Sequence, residues 1–290
     1  MALTWPVVLA VLFGAVLHAS WNALVKSSGD KELDTALLHF LGSMVALPAL
    51  LLVGLPPTAA LPFIATSIVI HIAYYVTLAG AYKHGDLGLT YPIMRGSAPL
   101  LVALGSSLVL GESLSALAWT GVLAITLGVA LVGLAHPGET LHHRRALAFA
   151  LTNAVVIAAY TFVDGKGVRV TVAQGANAFS YVLLLFVLDG FPYPSLVIAR
   201  RDAAGRRAIL QYAKTRWPLA ALGGAASIGS YAIALWAMTR APVAAVSALR
   251  ETSVLFATLL GTWLLKERLG AQRLAGAGVI VAGVMALRFG

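Results

Sequence analysis

Residues 95–129 recur at 250–284 without a gap. A shift of 155 positions lays Arg95 on Arg250, Glu112 on Glu267, Leu114 on Leu269, Gly121 on Gly276 and Gly128 on Gly283. Eleven of the 35 aligned positions are identical, where this composition gives about three by chance. Self-similarity at a fixed offset constrains architecture more than any local motif, because both copies must find the same packing. The 290-residue chain therefore reads as two copies of one unit.

What that unit is follows from where its apolar residues lie. Sixty per cent of the chain is hydrophobic and 11% charged, the balance of a polytopic membrane protein. A crossing takes about 20 mostly apolar residues. Ten such runs are expected, near 4–26, 33–54, 61–83, 88–110, 115–134, 146–165, 173–191, 217–239, 242–265 and 270–288. The runs lack the alternation of barrel strands, and hydrocarbon leaves no backbone group unpaired, so all must be helices. The fold class is all-α and polytopic: ten transmembrane helices as two inverted five-helix repeats. The first unit covers 1–135, a linker 136–145 and the second unit 146–290. Five crossings is an odd number, so the two copies sit upside down to one another, a construction that many secondary transporters place around a midplane site.

The charged residues serve this arrangement. The net charge is +9, but Lys and Arg lie mostly between apolar runs, which argues against a nucleic-acid partner and for the bilayer. Fourteen of the 20 fall on one side and four on the other, with Arg95 and Arg250 inside spans. The positive-inside rule then puts both termini outside. The basic stretch from Pro192 to Trp217 carries Ile209, Leu210 and Tyr212 and suggests a short interfacial helix. There is no cysteine, which excludes disulfides, thiolate metal sites and cysteine nucleophiles. Nothing resembles HExxH, GxSxG or a phosphate-binding loop, so no enzyme is expected, and no cofactor or metal.

Candidate binding groups are the polar and aromatic side chains within the spans. They are His18, Trp21 and Asn22 in the first, His71, Tyr74 and Tyr75 in the third, Tyr91 and Arg95 in the fourth, Tyr160 in the sixth, Tyr231 in the eighth and Arg250 in the ninth. His18 and Asn22, like Tyr91 and Arg95, are four apart and share a helix face. A lone membrane tyrosine or tryptophan is more often an anchor. The arginines are different, because a cation in hydrocarbon must face protein or water. They are either clamps for a carboxylate or phosphate, or halves of a buried ion pair with Asp164, Asp189 or Glu251. Arg95 is the expected substrate-facing member and Arg250 the more structural one. Asp164 and Lys166 read as a surface pair at a span end, Asp189 as a span boundary, and Glu112 as a turn residue. Gly121, Gly128, Gly276 and Gly283 read as close helix packing. His18, His39 and His71 could exchange protons near neutral pH.

Several of these stretches carry a family resemblance. His18-Ala19-Ser20-Trp21-Asn22-Ala23-Leu24-Val25-Lys26, Ala81-Tyr82-Lys83-His84-Gly85-Asp86-Leu87, Tyr91-Pro92-Ile93-Met94-Arg95-Gly96, Leu110-Gly111-Glu112 and Leu249-Arg250-Glu251-Thr252-Ser253 resemble the EamA-type transporters of the drug/metabolite transporter superfamily. The resemblance implies a ten-helix carrier of the bacterial inner membrane, commonly an exporter of amino acids or related small polar metabolites. It also implies cytoplasmic termini, against the loop charges. Other readings are an antiporter of phosphorylated or nucleotide-linked metabolites, a lipid-carrier flippase, and a non-transporting membrane scaffold.

Overall fold

The computed structural model describes residues 3–84, 87–133, 144–265 and 270–290. Most of the expected linker, and the pair Lys266 and Glu267, lie outside these residues. All regular structure among them is helical: α1 (Trp5–Lys26), α2 (Lys31–Val53), a 3₁₀ turn (Thr58–Ala60), α3 (Leu61–His84), α4 (Leu87–Val109), α5 (Ala116–Gly133), α6 (Arg144–Ala173), α7 (Ala178–Asp189), α8 (Pro192–Ala199), α9 (Ala203–Met238), α10 (Val243–Arg250), α11 (Ser253–Leu265) and α12 (Ala271–Phe289). Among the described residues ten segments are long and apolar enough to cross a membrane, with α7 and α8 forming one and α10 and α11 another. The outer faces carry side chains such as Leu51, Leu52 and Leu108, each more than three-quarters exposed. Such a surface suits lipid rather than water.

Local signals set the helix ends. Asp30 caps α2 by accepting from the Leu33 N–H at 2.9 Å, with Glu32 and Asp34 in the first turn, where carboxylates complement the helix dipole. Asp202 caps α9 by accepting from the Gly205 N–H at 2.7 Å. Gly111, at φ +64°, turns the chain after α4 and presents Glu112; a side chain there would be strained.

Three expected boundaries are corrected. The sixth span does not end at Gly165-Lys166-Gly167, since α6 runs through to Ala173. Those glycines are packing positions: a Cβ on Gly167 would lie 2.5 Å from the Tyr181 ring, and one on Gly165 3.1 Å from Val243. The basic stretch holds no separate interfacial helix spanning 192–217. It divides into α8 and the start of α9, which continues through Pro218 into the eighth crossing. The ninth crossing is discontinuous, broken between Arg250 and Ser253, while α4 keeps Pro92 and Pro99 within one helix.

The repeat is visible in the packing. α5 lies against α12 along the four glycines, where a Cβ on Gly121 would stand 2.8 Å from the Gly283 carbonyl oxygen and one on Gly128 2.8 Å from that of Gly276. Under the 155-residue offset the Gly121–Gly283 approach maps onto Gly276–Gly128, the reciprocity a two-fold relation requires. The expected close packing of these glycines is what the helices use, and without side chains between them the backbones meet. The same relation exchanges the α3–α6 contact with the α1–α9 contact, and α2 packs on its counterpart α7.

Candidate functional site

The break between α10 and α11 faces the middle of α4, and three charges meet there. Arg95 is buried, and its Nε lies 2.8 Å from Oε2 of Glu251, itself buried at the C-cap of α10. The approach is off hydrogen-bond alignment, so the attraction is mainly electrostatic. Arg95 Nη2 is buried with no acceptor among the described residues. Arg250, half-buried, holds its guanidinium 5.2 Å from the centre of the Tyr231 ring, a cation–π arrangement. Among the described residues it has no ion pair. Both arginines lie within electrostatic reach of His18, Tyr74, Tyr160 and Glu251.

Around them is a box of rings. His71 stacks on Tyr160 with centroids 4.7 Å apart. Tyr74 meets Tyr160 edge-on at 6.1 Å, and Tyr160 meets Tyr231 at 6.4 Å. His18 lies edge-on to Trp21 at 5.1 Å, and the Trp21 Nε1 donor is buried without an acceptor. Tyr91 is partly buried near Arg95 and Glu251. Of the expected residues, Asn22 is the one turned away: its Nδ2 donates to the carbonyl of His18, one turn back, at 2.8 Å. Tyr75 belongs to a neighbouring cluster. Its hydroxyl donates to Asp189 Oδ2 at 3.0 Å, and its ring sits edge-on to His39 at 5.3 Å and 4.7 Å from Tyr193. Tyr74 joins the two clusters, 5.4 Å from Tyr75.

Two carboxylates lie inside: Asp164, expected in a surface pair, and Asp189, expected at a span boundary. Asp164 has no exposed surface and accepts from the Tyr181 hydroxyl at 2.8 Å and from that of Tyr231. Lys166, two residues on, faces outward, so no surface pair forms. The signal for its burial is the spacing of Tyr160 and Asp164, four apart on a helix that continues past Lys166 to Ala173. Asp189 is likewise buried, 3.7 Å from His39 Nδ1.

Glu112 is structural, as expected, though it does not act at the start of α5. It accepts from the Val243 N–H at 2.9 Å, capping α10, and takes Arg169 Nη2 at 2.5 Å. Arg169 also donates to the carbonyls of Met238 and Ala241. At the opposite end of the bundle Asp34, almost fully buried, accepts from Tyr212 at 3.0 Å and from two nitrogens of Arg216 at 3.1 and 3.2 Å. Beside it Arg201 donates to Asp30 at 2.7 Å. Partial burial works against the Asp30 carboxylate, but the Leu33 N–H and the Arg201 guanidinium outweigh it and hold its carboxyl below the usual range. Among the described residues no group of carboxylates and histidines is arranged to hold a metal.

A ten-crossing helical bundle with a discontinuous helix and buried charges at its centre defines a polytopic membrane protein built as transporters are. The model of the EamA-like transporter family matches residues 144–289, half of the chain. The chain belongs to that family, within the drug/metabolite transporter superfamily, and is a membrane transporter rather than an enzyme. A solved crystal structure superposes with a TM-score of 0.75 over 96% of this chain and 95% of the other, at 20% identity, a likeness of fold alone. Among curated proteins none matches the sequence.

Proposed function

We propose that the protein moves a small polar or zwitterionic metabolite bearing a carboxylate, such as an amino acid or a relative, outward across a bacterial inner membrane. Its moving parts are the two five-helix units, 1–135 and 146–290, joined by the linker at 136–145, which expose the central site alternately to either side. The observation that carries this reading is the meeting of two repeat-equivalent arginines at the helix break, with one carboxylate between them. Arg95 is occupied by Glu251, 2.8 Å away, so Arg250 is the cation left for an anionic group. The sequence suggests the reverse assignment, and the pairing of Arg95 with Glu251 favours Arg250 instead. His71, Tyr74, Tyr160 and Tyr231 form the ring cluster beside the arginines, and Trp21 Nε1 is a buried donor with no acceptor among the described residues. Glu251 supplies a counter-charge for an ammonium group. Two cations and one anion leave a single net positive charge, which suits one carboxylate, with an ammonium group sharing Glu251 with Arg95, better than a polyphosphate.

The test is flux from proteoliposomes loaded with a panel of amino acids, organic acids and sugar phosphates. Saturable efflux of a zwitterion, lost in Arg250→Gln and kept in Asn22→Ala, is expected. Efflux confined to phosphorylated compounds, or no flux of any soluble metabolite, overturns the proposal.

A further inference from the structure

α6 carries Asp164 into the centre of the bundle, where none of its surface is exposed. Its two oxygens accept from two tyrosines on different helices, Tyr181 of α7 at 2.8 Å and Tyr231 of α9. From α3 it is faced by Ser67 and His71, and on its own helix by Tyr160. Beyond Tyr160 and Tyr231 stand Arg95 of α4 and, at the end of α10, Arg250. No cation pairs with it among the described residues. Hydroxyl donors stabilise a carboxylate without cancelling its charge, and an uncancelled charge within a membrane span is costly. The other acids described at the centre and at the two polar ends have a cation or a histidine close by: Glu251 has Arg95, Glu112 has Arg169, Asp34 has Arg216 and Asp30 has Arg201, each within salt-bridge distance, while Asp189 has His39 at 3.7 Å. Among these acids Asp164 alone has no partner at salt-bridge distance; His71 is within electrostatic reach, and the smallest group that can neutralise the carboxylate directly is a proton.

We propose that Asp164 is a proton-binding site whose occupancy is passed through Tyr231 to Arg250 during the transport cycle. This rests on the transporter reading above. One proton enters from solution, the carboxylate becomes a carboxylic acid, and no other covalent bond changes. The protonated oxygen turns from acceptor to donor. If it is the oxygen facing Tyr231, that hydroxyl must accept instead and turn its own proton away. That hydroxyl is then free to donate to an anion held by Arg250, whose guanidinium lies over the Tyr231 ring. Proton binding also adds one positive charge beside Arg250, so it strengthens the hold on an anion. Linkage requires the reverse as well: whatever changes the charge at Arg250 changes proton affinity at Asp164 by the same free energy.

That reciprocity makes the proposal testable without a substrate. The full chain in detergent is titrated over roughly pH 5 to 9 while the infrared band of protonated carboxyl groups is followed. A titrating band is expected in the wild type and is lost in Asp164→Asn. Should that variant not fold, Asp164→Glu carries the assignment by moving the band. Tyr231→Phe removes a donor that favours the charged form, so the midpoint rises by about one pH unit. Arg250→Gln removes a nearby cation and moves it the same way. A band unchanged by both substitutions at Asp164, or none titrating, overturns the proton site. Loss of the band when sodium chloride replaces choline chloride makes it a sodium site and also overturns it. Midpoints unmoved in Tyr231→Phe and Arg250→Gln overturn the relay. Absence of metabolite flux leaves these titrations standing, and their failure leaves the flux standing.

Discussion

Removing Arg95 should damage the fold before it damages recognition. The guanidinium and the Glu251 carboxylate meet at 2.8 Å with side chains only 10% and 5% exposed. With charge centres about 4 Å apart and an effective dielectric near 20, the attraction is about 4 kcal/mol. Arg95→Ala forfeits it and leaves Glu251 without its partner in an apolar interior, a loss of about 3–5 kcal/mol. The same carboxylate sits at the C-cap of α10, so its release loosens the α10–α11 break as well. In detergent the midpoint of thermal unfolding should fall by something on the order of 10 °C. Arg95→Met with Glu251→Leu removes both charges and should recover most of that loss, since replacing a whole buried pair is often neutral. The double variant should nevertheless fail to bind a zwitterion, because the counter-charge is gone. Melting curves and equilibrium binding for the three proteins separate stability from recognition. An Arg95→Ala protein that melts like the wild type while losing its ligand would refute the argument, and would return Arg95 to the role of clamp.

Other perturbations follow from the packing and the two polar ends. Gly128→Leu should push α5 off α12, since even a Cβ there lies 2.5 Å from Ile280; a loss of about 1–3 kcal/mol is expected, read as an earlier melt, whereas Gly29→Ala, with open space around it, should melt normally. Asp34→Asn leaves Arg216 with a neutral partner and should cost about 1.5–3 kcal/mol, measured the same way in single and double variants with Arg216→Gln. The Asp30 carboxyl titrates below its unfolded value, so the stability it contributes is present above about pH 4 and is lost as pH falls through the folded value. Asp30→Asn should flatten that acid limb while changing stability near neutrality by no more than about 1 kcal/mol. On topology, the bias of fourteen basic residues to four predicts both termini outside; a C-terminal fluorescent-protein fusion that glows, with an inactive phosphatase fusion, would place them in the cytoplasm.

Helix number and the glycine seam were legible because each depends on properties local in sequence. An apolar run of the right length becomes a crossing whatever surrounds it, and glycines seven apart share a face. What was not legible depends on which helices meet. Lys166 beside Gly165 and Gly167 suggested the end of a span, although both glycines exist to admit Tyr181 and Val243. Asp164 then looked exposed, and the residue most deeply buried among the acids was set aside. Asp189 does end α7, but its burial was not legible, since it stands next to a glycine whose Cβ would strike Ser43 of α2 at 2.2 Å. A glycine between charged residues marks a turn in some contexts and a helix crossing in others, and only the neighbouring helix decides.

The difference between the two arginines comes from a single site of divergence between the repeats. Under the offset of 155, Arg95 corresponds to Arg250 and Gly96 to Glu251. Duplication alone would place two like charges near the two-fold axis, each with a small residue after it and neither with a partner. One carboxylate added to one copy cannot serve both arginines equally. It sits directly after Arg250, but adjacent residues on a helix do not face one another, so it reaches across the interface and pairs with Arg95. The consequence is an asymmetric centre made from symmetric parts: one arginine neutralised within the protein, the other half-buried over Tyr231. Tyr231 in turn is tied to Asp164, a carboxylate that also lies in the second copy. Both acids that shape the site therefore belong to the second unit, while its cations come from the common ancestor of the two.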